Sequence, residues 1–221
     1  MCCLVIVTGR SLAWTLISIL AFMSVLAAVL TPKWIIGPGR PIQSDDGSKM
    51  YNPSQGIYNR CILLQGQKNH CGDFNQDGFF TDPVVFPPIW KASMFFMSFG
   101  LAIMAATVAA ALLGCYVQSI GRKSIFDLCG VAQAIAGISY LFGMILYPAG
   151  WGAPRVRKMC GPEANAFYPG DCTIGYSFYL AVCGVSLTFL SAILSNQAEK
   201  STSSDKVQEK LNEGKNLVCL L

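Results

Sequence analysis

The stretch ASMFFMSFGLAIMAATVAAALLGCYVQS, residues 92–119, contains no Asp, Glu, Lys, Arg or His. As a helix its 28 residues reach about 42 Å, more than the roughly 30 Å of a bilayer's hydrocarbon core. Three further runs, 12–30, 128–147 and 174–195, are equally free of charge. Each is at or above the roughly 18 to 20 residues that a spanning helix needs. A soluble domain of 221 residues has no need of four such stretches. The expected fold is a membrane protein, mainly α, a four-helix transmembrane bundle in a single domain over 1–221.

Composition points the same way. Apolar residues make up 53% of the chain and charged residues 13%, against about a quarter charged in soluble domains. The net charge of +4 is spread over loops and tail, with no basic, aromatic-interleaved stripe to suggest nucleic acid. The first run covers 19 residues after Arg10 and ends at Thr31-Pro32-Lys33-Trp34 without a small-x-small site. Signal-peptide cores are about 7 to 15 residues long, so this run reads as a retained helix.

Four crossings place loops 33–91 and 148–173 on one side, and both termini with the tail 196–221 on the other. Cys61 and Cys71 lie in the first loop, Cys160 and Cys172 in the second. Disulfides persist in oxidising compartments, so the loops are expected outside a plasma membrane and the termini in the cytoplasm. Positive charge adds little. Arg122, Lys123 and the tail lysines are nearly matched by Arg155, Arg157 and Lys158 beside helix three.

The first loop is too long to lack structure. Turn formers fill its early part, 56–64 reads as a strand and 84–86 as another, so a small antiparallel sheet is expected. Trp34, Tyr147 and Trp151 stand where interfacial aromatics belong. On helix two, Ser98, Ala102, Ala106, Ala110 and Gly114 recur every fourth residue, nearly on one face. Small side chains there let another helix approach closely. Gln133, alone among apolar residues of helix three, is expected to bond a neighbouring helix. In the tail, Asp205 can cap a short helix with Gln208 at its third position and Gly214 as its stop. A tail that orders only on a cytoplasmic partner is the alternative.

Chemistry-bearing residues are sparse. His70 is the single histidine, and none of the four runs holds the ionisable residue that marks an ion or proton path. No glycine-rich phosphate loop follows a strand. Neither enzymatic activity nor a cofactor is expected. Asp73, Asn75 and Asp77 match the start of a calcium loop, but Val84 stands at the twelfth position in place of a bidentate Glu. A polar turn is the simpler reading. Cys2, Cys3, Cys115 and Cys129 are juxtamembrane candidates for palmitoylation, with thiols packed as small apolar groups as the alternative. The terminal Val218-Cys219-Leu220-Leu221 could add as a strand to a PDZ-type domain.

Trp34, then Gly56-Ile57-Tyr58-Asn59-Arg60-Cys61, then Cys71, resembles the first-loop signature of claudins, with Tyr58 where claudins have Trp. Cys160 and Cys172, Gly175-Tyr176, Leu146-Tyr147-Pro148-Ala149-Gly150-Trp151, Lys123-Ser124-Ile125-Phe126 and the 203–209 stretch extend the likeness. Together they resemble the lipoma HMGIC fusion partner-like (LHFPL) tetraspan family, its second subfamily in particular. The resemblance implies a left-handed four-helix bundle topped by an extracellular sheet. It also implies a non-enzymatic protein that binds other integral membrane proteins. Such a protein is an auxiliary or scaffolding subunit acting on their assembly, trafficking or localisation, with a tissue or developmental role. The four loop cysteines allow three pairings. Cys61–Cys71 with Cys160–Cys172 closes a short loop within each connection, and cross-loop pairing is the alternative. Two other classes stay open, a claudin-like junction protein and a small channel.

Overall fold

Among the described residues, four helices are long and apolar enough to cross a membrane. The computed structural model describes residues 5–44, 47–64, 68–73, 86–113, 119–120, 123–204, 207, 209 and 217–220. In chain order the elements are β1 (Val5–Thr8), α1 (Gly9–Leu30), β2 (Ile35–Ile36), β3 (Arg40–Ser44), β4 (Gly47–Tyr51), β5 (Ser54–Gln55), β6 (Asn59–Leu64) and β7 (Lys68–Asp73). There follow α2 (Pro88–Leu113), β8 (Ser119–Ile120), β9 (Lys123–Ser124), α3 (Ile125–Ala149), a 3-10 turn at Gly150–Gly152, α4 (Pro154–Cys160), β10 (Thr173–Ile174), α5 (Tyr176–Thr202) and β11 (Leu217–Leu220).

The helix ends differ from the limits of the apolar runs for physical reasons. Pro88 opens α2, a position where its missing N–H costs nothing. At the other end of that run, Ser119 belongs to the short β8–β9 hairpin and not to the helix. Helix α5 starts after 174 because Thr173 and Ile174 pair with β2. It continues to Thr202 because Ala198 and Thr202 stay buried, which holds the helix together past the apolar run. The chain divides into two compact units, and each of the four long helices contributes a stretch to both.

The first unit comprises Met1–Ser24, Phe99–Ser139 and Cys183–Leu221. Its core gathers Trp14, Ala111, Ile125, Phe126, Cys129 and Ala198, with Trp14 and Phe126 edge to face at 5.2 Å between ring centroids. Gln133 is fully buried and its amide is used at both ends. Its Oε1 accepts from Trp14 Nε1 at 3.2 Å and its Nε2 donates to Ser18 Oγ at 2.8 Å. Ser18 Oγ in turn donates to the Trp14 carbonyl at 2.8 Å. The bond expected of Gln133 to another helix is present, and α1 is the helix it reaches. Helix α5 turns a small polar stripe inward, and the hydroxyls of Thr188, Ser191 and Ser195 donate to carbonyls of their own helix. That arrangement leaves them satisfied without water.

Strand β1 runs straight into α1 through a reciprocal cap. Ser11 N donates to Thr8 Oγ1 and Thr8 N donates to Ser11 Oγ, so each end of the turn serves the other. Strand β11 lies parallel to β1, with Val5 opposite Leu217 and Thr8 opposite Leu220. The expected cap and helix at Asp205, Gln208 and Gly214 fall outside the described residues.

The second unit comprises Val25–Ser98 and Tyr140–Val182. Its antiparallel sheet has the order β10-β2-β5-β6-β7, so the second connection supplies one edge strand. The 56–64 stretch is not one strand. Gly56 to Tyr58 make the turn between β5 and β6. The partner of β6 is β7, with Cys61 directly opposite Cys71, while 84 and 85 lie outside the described residues. The turn-forming early loop folds as the β3–β4 hairpin. Both short-range disulfides are formed, Cys61–Cys71 across β6 and β7 and Cys160–Cys172 from α4 to the approach of β10.

Replacing Gln133 by Leu keeps the volume roughly constant but strands the Trp14 indole N–H in an apolar core. A buried donor left unmade costs about 1–3 kcal/mol, while intramembrane hydrogen bonds average about 0.6 kcal/mol. Gln133→Leu is therefore expected to lose about 1 kcal/mol in reversible denaturant titration of the full chain in detergent micelles. An unchanged midpoint would show that the triad does not hold α1 to α3.

Candidate functional site

The carbonyls at the end of a helix have no partner within it. At the C-terminus of α1 the loop supplies those partners. The Ala27 carbonyl receives Thr31 N and Thr31 Oγ1, at 3.1 and 2.7 Å. The Ala28 carbonyl receives Trp34 Nε1 at 2.7 Å, and the Leu30 carbonyl receives Asn59 Nδ2 at 2.6 Å. Trp34 N donates to the Gln55 carbonyl at 3.1 Å, which seats the sheet on this helix end. Gly56 completes the cradle. A Cβ there would meet Asn59 Oδ1 and lie 2.9 Å from the Thr31 carbonyl oxygen. The residues that carry the claudin-like signature thus cap a helix and fix the sheet to it.

Trp34 is buried, as are Tyr147 and Trp151, so none of the three is a lipid-facing belt residue. The indole of Trp34 packs edge to face on Tyr147 at 5.0 Å and on Phe178 at 5.8 Å. Tyr147 Oη donates to the Gln55 carbonyl, and Trp90 Nε1 donates to the Tyr147 carbonyl while its ring stacks on Tyr147. The polar handles of Trp34, Tyr147 and Trp90 find protein, which allows these large rings to serve as core, whereas Trp151 Nε1 is buried with no hydrogen-bond partner among the described residues. Tyr58 is half-buried.

The second connection is held as firmly. Its disulfide joins the end of α4 to Cys172, and Arg157 Nε donates to the Ala164 carbonyl at 3.0 Å. Phe167 adopts a left-handed φ of 61° at the tip, where its N–H donates to the Pro148 carbonyl. Phe167 and Tyr168 present their rings outward from this closed loop. Burial raises the pKa of the Tyr51 phenol and lowers that of the Arg60 guanidinium.

The small-residue ladder on α2 is divided between an exposed part and one member on the core. In the first unit Ala102 and Ala106 are exposed and Ala110 is half-buried against the core. In the second unit Ser98 is exposed, and Gly114 lies outside the described residues. The opposite face carries the internal contacts through Ser93, Met97, Met104, Thr107 and Ala111. Among the palmitoylation candidates, Cys129 is buried in the cluster with Trp14 and Phe126. Cys2, Cys3 and Cys115 lie outside the described residues, as do Asn75 and Asp77, while Asp73 ends β7. Among the described residues no three His, Cys, Asp or Glu side chains converge to hold a metal ion.

The profile described as "Lipoma HMGIC fusion partner-like protein" matches residues 10–197. The chain belongs to this family. It is 42% identical over 231 aligned residues to human LHFPL tetraspan subfamily member 2 protein, covering 99% of this chain and 100% of that one. It is 41% identical over 232 aligned residues to the zebrafish subfamily member 2a protein, with the same coverage. Bovine subfamily member 4 protein is 26% identical over 165 aligned residues, 72% of this chain and 62% of that one. The expected membership of the LHFPL tetraspan family and of its second-subfamily pattern is thereby established.

In this LHFPL-family protein Gly56→Ala should be costly, because the clash is with backbone at Thr31 and cannot be relieved by a rotamer change. Overpacking of this kind costs about 1–3 kcal/mol. Thermal unfolding followed by tryptophan fluorescence is expected to shift downward by several degrees. Wild-type melting of the variant would mean that the cradle is not tight.

Proposed function

We propose that the protein is a non-enzymatic auxiliary or scaffolding subunit of the plasma membrane. It binds other integral membrane proteins laterally and influences their assembly, trafficking or localisation. Both termini lie in the cytoplasm and the two disulfide-bearing loops lie outside. The observation that carries this reading is the exposure of Ala102 and Ala106 on the free face of α2. Lipid tails are as apolar as leucine, so helices in a bilayer gain little by hiding apolar area. They gain by close backbone approach, which small residues permit. A partner helix laid along this face would reach the α2 backbone without displacing any internal contact. The rigid second loop, with Phe167 and Tyr168 outward, offers aromatic anchors of the kind that dominate protein interfaces.

The double substitution Ala102→Leu, Ala106→Leu tests this. It fills the outward face while leaving Met104 and Thr107 in place, so the chain should melt as wild type. Recovery of proximity-labelled membrane partners from cells is expected to fall by about fivefold or more, equivalent to about 1 kcal/mol. Unchanged recovery with an unchanged melt would sink lateral docking through α2. The orientation is tested separately. Membrane-impermeant biotin-maleimide applied after mild reduction of intact cells should label Cys71, the exposed member of the first bridge. Labelling confined to permeabilised cells would reverse the topology.

A further inference from the structure

A second feature of the first unit points to a ligand of another kind. A groove of about 380 Å³ lies between α3 and α5. The two helices approach closely at Gly130, where a Cβ would run into the Ser195 hydroxyl. Ala134 and Ala192 keep the groove open and Phe189 also lines it. At the helix ends it finishes in Asp127 and Asn196. From Asp127 to Ala134 is seven residues of α3, so the groove runs about 10 Å along the helix axis.

Gly130, Val131, Ala134, Phe189, Ala192 and Ile193 give the groove an apolar lining. It suits the upper part of one lipid chain. The rim then decides which lipid. Asp127 sits in the first turn of α3, half-buried. A carboxylate at the mouth of an apolar groove repels an anionic headgroup and attracts a cationic one. It also accepts hydrogen bonds, which a primary ammonium can donate and a quaternary choline cannot.

We propose that this groove binds an ethanolamine phospholipid, its acyl chain along Ala134 and Ala192 and its ammonium at Asp127. The site is independent of the outward face of α2. Any lateral partner and this lipid can be lost separately.

The test is native mass spectrometry of the detergent-purified full chain, titrated with dioleoyl phosphatidylethanolamine and, in parallel, with dioleoyl phosphatidylcholine. The two lipids share tails and differ in headgroup N–H. Exposed ion pairs are worth up to about 1 kcal/mol, so the ethanolamine lipid is expected to bind about three- to fivefold more tightly. Asp127→Asn should equalise the two lipids, and Ala192→Leu should weaken both by filling the groove. Equal affinities in the wild-type chain, or a preference that survives in Asp127→Asn, would overturn the proposal. Asp127→Asn preserves size at a rim position, so it remains decisive if Ala192→Leu does not fold.

Discussion

Every unpaired backbone group at the end of a membrane helix is expensive, because hydrocarbon offers it no water. In this protein the constraint is met at the C-terminus of α1 by two side chains just past the helix and one from the sheet. Trp34, Thr31 and Asn59 each deliver a donor to a carbonyl that the helix leaves open. Because Asn59 begins β6, capping the helix also positions the sheet. The chain then needs Gly56, since only a residue without Cβ lets β5 turn against Thr31. The Cys61–Cys71 bridge holds the next strand pair on that foundation. Signature, sheet and first disulfide therefore form one mechanical sequence that starts from three open carbonyls.

The same rule governs polar side chains within the spans. Gln133 survives at full burial because both halves of its amide have partners on α1. The serines and threonines of α5 survive because carbonyls of their own helix accept from them. These solutions differ in consequence. The hydroxyls satisfy themselves locally and leave α5 with a slim, smooth inner face. The glutamine acts between helices, so it sets which residues of α1 and α3 stand side by side.

Much of this was legible in the sequence, and the limits of legibility have physical causes. Uncharged runs of spanning length announce helices because the bilayer imposes that length. Cysteine spacing pointed to two short loops, and the sheet between α1 and α2 followed from turn formers around β-branched residues. Helix limits were less visible. Residues 196–202 are polar on one side, and only the burial of Ala198 and Thr202 shows that α5 continues. Trp34 looked interfacial because a tryptophan beside a proline at a span's end usually is. Its indole instead caps α1, a role that depends on where Ala28 lies in space. The pairing of β1 with β11 had no local signal at all, since parallel register between chain ends separated by four spans leaves no periodic trace. Small residues at every fourth position were plain in α2, but the string of letters does not say which way they face.

That last point bears on function. A helix that used its small residues internally would have nothing left for a neighbour. Here Met97, Met104 and Ala111 serve the interior of their respective units, while Ala102 and Ala106 remain on the outer face. Apolar bulk cannot confer selectivity among lipid tails and leucine-rich helices, since they are chemically alike. Selectivity in such a solvent has to come from shape at close range or from polar groups at the ends of spans. The two resources lie on different helices in this protein, the alanine step on α2 and the Asp127 carboxylate at the start of α3. Because the two lie on different helices, contact at either leaves the other, and the packed core between Trp14 and Ala198, in place.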